Sequence, residues 1–418
     1  MKQFAIFRFS ILRFAILLTL LFAGMTIFAQ SIDMSYYTEE YNNATATFAD
    51  RLEILETVRN AGFSGISEFY HEALKVLITR IPDIGNIREK ETVEASARLL
   101  CQELAAEKYT AAAPELWQLV QSFPVIRDIN DGFVMQDALI ALGQVDAKEF
   151  VPHIVQTLDD INTLATSDVE TRRRVQRAAV GAINALEALH ELPGFRPVFF
   201  ASIGWFDPAI KDIASAALPN IVEDPGESII EIIRNQSNNP EIKYEAWREM
   251  LLTNAPNSSK AKVAAVALDI GWIYSTATPA FQRSLREMRK SAIDIVRLYG
   301  VEDDSVYVNL ERSYSNNFIN TTPDYDEIRK TLDTLSVTAT NEAVELLLKF
   351  LRELHARRRS GPWGNKERQL LQWVIPSLGA TSTQSAEVTQ LLTTIQRSDA
   401  YTGAEQGWAR DALRALGQ

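Results

Sequence analysis

Residues 137–158 read DALIALGQVDAKEFVPHIVQTL. Met135, Ala138, Leu139 and Leu142 fall on one face of a helix. Gly143 follows, where a helix end favours a residue able to turn left-handed. Asp146, with Glu149 three residues on, reads as a capping box for a second helix. Val151, Ile154, Val155 and Leu158 form its apolar stripe, and Pro152 sits near its start, where a missing N–H is tolerated. The stretch therefore predicts a helix, a glycine stop, a polar turn and a second helix.

The same pattern extends in both directions. Tyr70, Ala73, Leu74, Leu77, Ile78 and Ile81 follow the helical template. So do Val175, Ala178, Ala179, Ala182, Ile183 and Leu186, and Ala343, Leu346, Leu347, Phe350, Leu351 and Leu354. Strand-like alternation of useful length is scarce. Gly143, Gly300, Gly379 and Gly417 each follow an apolar stripe, at separations of 157, 79 and 38 residues. Further stops fall near Leu104, Leu186, Pro219, Asn254 and Ser336, so the mean interval is about 39 residues. Residues 190–290 fit this rhythm least well.

Helix pairs at this period predict an all-α chain, an α-solenoid wound as a right-handed superhelix of about eight repeats. The chain resembles the HEAT-repeat (armadillo-like) family. The residues that carry the likeness are Ala138-Leu-Ile-Ala-Leu-Gly143 with Pro152 downstream, Ala292-Ile-Asp-Ile-Val-Arg-Leu-Tyr-Gly300, and Ala409-Arg-Asp-Ala-Leu-Arg-Ala-Leu-Gly417. It covers residues 65–418, with 31–64 expected as a polar leader and first helix. The resemblance implies an interaction platform. Some HEAT-like proteins are lyases that attach bilin pigments, but no acid–His–Cys constellation supports that here.

The first residues read as an address. Lys2, Arg8 and Arg13 precede an uncharged apolar run from Phe14 to Ala29. A positive flank, a short apolar core and small residues near its end predict a secretory signal over 1–30, cleaved after Ala29 or Gln30. The run is shorter than the roughly 20 residues of a comfortable span, so membrane contact is expected only through this segment, if it stays uncleaved. The expected location is periplasmic or secreted, with an N-terminal anchor as the alternative.

The chain of 418 residues has a formal charge of −12, with 46% hydrophobic and 23% charged residues. These values exclude a largely disordered or polytopic membrane protein. The negative balance argues against nonspecific nucleic-acid binding. The single cysteine, Cys101, lies on an apolar helix face and reads as core. His71, His153, His190 and His355 lack paired ligands at metal spacing. Asp128-Ile-Asn130-Asp131-Gly132 fails as a calcium loop, because its twelfth position is Leu139. No nucleophile elbow, phosphate loop, dinucleotide fingerprint or zinc helix occurs. No catalytic residue, metal or cofactor is expected.

Two basic clusters stand against the acidic background. One is Arg172, Arg173, Arg174 and Arg177. The other is Arg352, Arg357, Arg358 and Arg359, followed by Trp363, Lys366 and Arg368. Arginine beside an exposed aromatic is a plausible protein-docking element, whereas pairing with nearby acids would make it a solvated helix face. Trp205, Trp272 and Trp363, next to glycines, are the tryptophans expected at loop edges. The expected function is an exported, non-catalytic scaffold for an unidentified protein partner. The alternative is a self-assembling envelope component.

Overall fold

The computed structural model describes residues 34–63, 65–123, 132–272, 278–301, 303–383 and 385–418. The leader expected over 1–30 and the Asp128–Asp131 turn lie outside the described residues. Among the described residues the chain is helix and turn, with no strand. It divides into two units, Met1–Val222 and Glu223–Gln418.

The first unit holds α1 (residues 34–42), α2 (Phe48–Ala61), α3 (Ser67–Arg80), α4 (Ile87–Ala106) and α5 (Ala113–Ser122). It continues with α6 (Phe133–Gln144), α7 (Val151–Thr163), α8 (Val169–Leu189), α9 (Phe195–Ile203) and α10 (Pro208–Ile221). Even-numbered helices pack in series, α2 on α4, α6, α8 and α10 in turn. Odd-numbered helices form a second layer, with α3 on α5 and α7 on α9. Trp117 of α5 stacks on His153 of α7 at 5.2 Å. The segment expected as a polar leader is already helical in α1. Buried Arg51 satisfies its end by donating to the carbonyls of Tyr41, Asn43 and Ala46.

The second unit holds α11 (Gly226–Arg234), α12 (Pro240–Leu252), α13 (Asn257–Ile270), α14 (Pro279–Tyr299) and α15 (Ser305–Ile319). It continues with α16 (Tyr325–Thr338), α17 (Asn341–Ser360), α18 (Asn365–Ala380), α19 (Ala386–Arg397) and α20 (Gly403–Ala415). Here too the even helices α12 to α20 pack in series, and so do the odd helices α11 to α17.

Apolar stripes face the seam between the layers. Ala73, Leu74 and Leu77 of α3, Val175, Ala179 and Ile183 of α8, and Leu347, Leu351 and Leu354 of α17 are buried. Each buried leucine is worth about 2 kcal/mol of transfer free energy. The nine stops read from the sequence fall within a turn of the ends of the even helices α4 to α20. The poor fit over 190–290 has two sources: α9 and α11 have only 9 residues each, whereas α14 has 21.

Two local expectations are corrected. Gly143 does not end α6, which runs on to Gln144. A Cβ on Gly143 would lie 2.8 Å from the Ala185 Cα, so its role is to let α6 approach α8. Gly379 does the same in α18, where a Cβ would lie 2.9 Å from the Ala412 Cα. Asp146 does not cap α7. It takes the left-handed turn itself (φ 59°), and the Ala147 N–H donates to the Leu142 carbonyl. A 3-10 turn at Lys148–Phe150 then leads into α7 with Pro152 in its first turn. Gly300 (φ 99°) and Gly417 (φ 77°) do hold left-handed positions at helix ends.

Polar rungs join successive helices of the same layer. In the first unit these include Arg59–Glu103 (3.1 Å), Arg98–Asp137 (2.8 Å), Arg172–Asp207 (2.7 Å) and, in the odd layer, Arg196–Asp159 (3.1 Å). In the second they include Lys262–Glu227 (3.1 Å), Lys330–Asp294, Arg352–Glu387 and the buried Arg289–Glu327 pair.

Candidate functional site

The densest cluster of sequence-picked residues lies at one edge of the second unit. Helix α17 ends in Arg357, Arg358 and Arg359, whose charges complement the helix's carbonyl end. Gly361 and Pro362 break the helix. α18 starts after Gly364, whose N–H donates to Glu367 at 2.9 Å.

The arginines then divide by role. The Arg357 guanidinium lies 4.0 Å over the Phe318 ring and 3.7 Å from buried Glu367. Arg358 covers Trp363 at 4.6 Å and donates to the Ala400 carbonyl at 2.7 Å. Its terminal nitrogen lies 3.5 Å from Glu405, which is 0% exposed. Glu405 also accepts the Thr402 N–H at 2.7 Å as the third residue of α20. Arg368 approaches its other oxygen to 3.4 Å, without the geometry of a hydrogen bond. Lys366 donates to the Phe318 carbonyl at 2.8 Å. The basic side chains thus stitch three successive loops, after α15, α17 and α19, into one edge.

What remains for a partner is narrower than the sequence suggested. Arg352 pairs with Glu387. Trp363 is half-buried beneath Arg358, while Arg359 is exposed. Ile319, at the end of α15, is 74% exposed beside them. His355 and Tyr401 lie under this surface, rings stacked and joined by a 2.7 Å hydrogen bond. Burial, with Arg359 adding, holds the His355 pKa below its ordinary value. Burial pushes the Tyr401 phenol up to about 12.

Phe318, Ile319, Tyr401 and Glu405 were not picked from the sequence. One signal for Glu405 was there. Glu327, Glu367 and Glu405 are each the third residue of an even helix, 40 and 38 residues apart, and all three are buried against arginine.

The first-unit cluster is dispersed. Arg172 binds Asp207 and lies 5.9 Å over Trp205, Arg174 reaches Glu170 at 3.4 Å, and Arg177 covers Phe133 at 3.7 Å. Arg173 is exposed. Trp205 is half-buried and donates to the Asn162 carbonyl at 3.1 Å, and Trp272 is half-buried under Arg289 at 3.8 Å.

Cys101 is buried, and burial pushes its thiol pKa up. His71 pairs with Glu115 at 2.8 Å, and His190 contacts the Asn220 carbonyl at 2.6 Å. Among the described residues no three His, Cys, Asp or Glu side chains gather as a metal site. A groove of about 550 Å³ along α11, α13 and α15 is crossed by the Lys262–Glu227 pair. Comparison with protein-family models and with curated proteins finds no match to this chain.

Proposed function

We propose that the chain is an exported helical-repeat scaffold, a HEAT-like α-solenoid that binds a protein partner and carries no catalytic centre. The observation that supports this most is the loop edge formed by Arg357, Arg358, Arg359, Trp363 and Lys366. It is a cationic, aromatic surface on a chain of formal charge −12, held in place by buried carboxylates rather than by a cavity. Stacked layers of helices offer long surfaces for docking. The step from that architecture to binding is one of analogy.

The test starts from the native source. A C-terminal tag on the full chain follows its cell fraction, and N-terminal sequencing of the exported form checks cleavage after Ala29 or Gln30. Capture from envelope extract is then compared between the parent chain and Arg359→Glu. A named partner lost with Arg359→Glu supports the reading, and equal capture removes the edge from it. Arg359 is the residue to change, because losing Arg358 would strand buried Glu405 and confuse unfolding with lost binding.

A further inference from the structure

The second unit has two loop edges of opposite character. Short connections reverse the chain at successive helices, so loops after odd helices gather at one end and loops after even helices at the other. The first edge is the basic one described above. At the second edge, Thr383 donates to the Ala339 carbonyl at 3.4 Å, and Tyr307 shares a 2.6 Å hydrogen bond with Thr340. Three successive even helices end there on solvent-exposed apolar side chains. These are Leu252 of α12, Leu298 of α14 and Val337 of α16, which are 76%, 64% and 63% exposed. Asp303, Asp304 and Glu342 are exposed in the adjoining loops and first turns. The cations at this edge are engaged: Arg297, exposed beside Leu298, lies 3.6 Å from Asp294, and Lys260 is turned to the Thr253 carbonyl at 2.7 Å.

We propose that a second copy of this chain docks its acidic, apolar edge (Leu252, Leu298, Val337, Asp303, Asp304, Glu342) on the basic edge (Arg359, Lys366, Arg368, Ile319). This names the partner of the docking edge and so rests on the scaffold reading. One feature of the molecule selects a second copy. The charges of the two edges are opposite. Such a contact joins unlike surfaces, so it does not close into a two-fold dimer but continues side by side. Helices 8–10 Å apart make the strip from α12 to α18 about 30 Å long. With a width of two helix layers this is on the order of 1,200 Å² in total, at the low end for specific interfaces. The association is therefore reversible, weak and opposed by salt.

Sedimentation velocity on the full chain, over a concentration series at low and high salt, tests it. The expected result is a sedimentation coefficient that rises with concentration at low salt and falls back when salt is added. Leu298→Lys with Val337→Lys, and separately Arg359→Glu, change exposed side chains, and circular dichroism checks that each stays folded. Each should weaken self-association by at least about tenfold. Mixed in equal amounts, the two variants should form a dimer that does not grow, because each retains one intact edge. A monomer at all concentrations at low salt overturns the proposal, as does undiminished association of either variant. If the chain stays monomeric while Arg359→Glu still loses a captured envelope protein, self-docking falls and the scaffold reading stands.

Discussion

Gly143 and Ala185 mark the closest approach of α6 and α8: a Cβ on residue 143 would sit 2.8 Å from the Ala185 Cα. Alanine favours a helix over glycine by about 1 kcal/mol. The crowding here outweighs that gain, because the obstructing atom is backbone and cannot rotate away. Gly143→Ala is expected to destabilise the first unit by about 1–3 kcal/mol. Urea unfolding followed by circular dichroism measures it. A variant as stable as the parent would show that α8 moves freely.

Arg289 and Glu327 form a buried bidentate pair at 2.8 and 3.0 Å, closed by the Gly271 carbonyl and the Trp272 ring. Glu327→Gln alone leaves a buried guanidinium without its counter-charge and should cost about 3–5 kcal/mol. Arg289→Met with Glu327→Met should cost clearly less than the sum of the single changes. A double-mutant cycle on unfolding free energies decides the point, and strict additivity would sink it.

His355 ties stability to pH. Its folded pKa lies below the ordinary 6.5, because burial and Arg359 disfavour the imidazolium. In that interval the unfolded chain binds more protons than the folded one, so stability rises with pH. The contribution is complete above 6.5 and is lost as pH falls through the folded value. The melting temperature of His355→Asn should vary less with pH just below neutrality than that of the parent. Titration of the His355 ring by NMR gives the pKa directly, and a value above 6.5 would contradict the burial argument.

Cys101 is shielded in α4 with its thiol pushed up. A thiol must ionise and be reached to react. The folded protein should therefore resist alkylation, with modification appearing only in denaturant. Mass spectrometry after iodoacetamide treatment reads both states, and rapid labelling of the folded chain would show that α4 opens readily.

Much of the helical layout was legible. The stops near Leu104, Gly143, Pro219, Gly300 and Gly379 all lie at the ends of even helices, because a helix end announces itself in local composition. The reason for a stop was less legible. Gly143 and Gly379 lie inside their helices against the next helix of the layer, whereas Gly300 turns the chain. The basic cluster around Arg358 could be picked out, but its use could not. Its partners Phe318, Ala400 and Glu405 lie some 40 residues away in either direction.

By itself the sequence determined the helices, their apolar faces and their period, since these follow from side-chain spacing within one or two turns. Only the tertiary structure decided which glycines let helices touch, which arginines hold buried carboxylates, and which side chains remain at the two loop edges. Those outcomes depend on atoms brought together from successive helices, and no local pattern specifies how near they come.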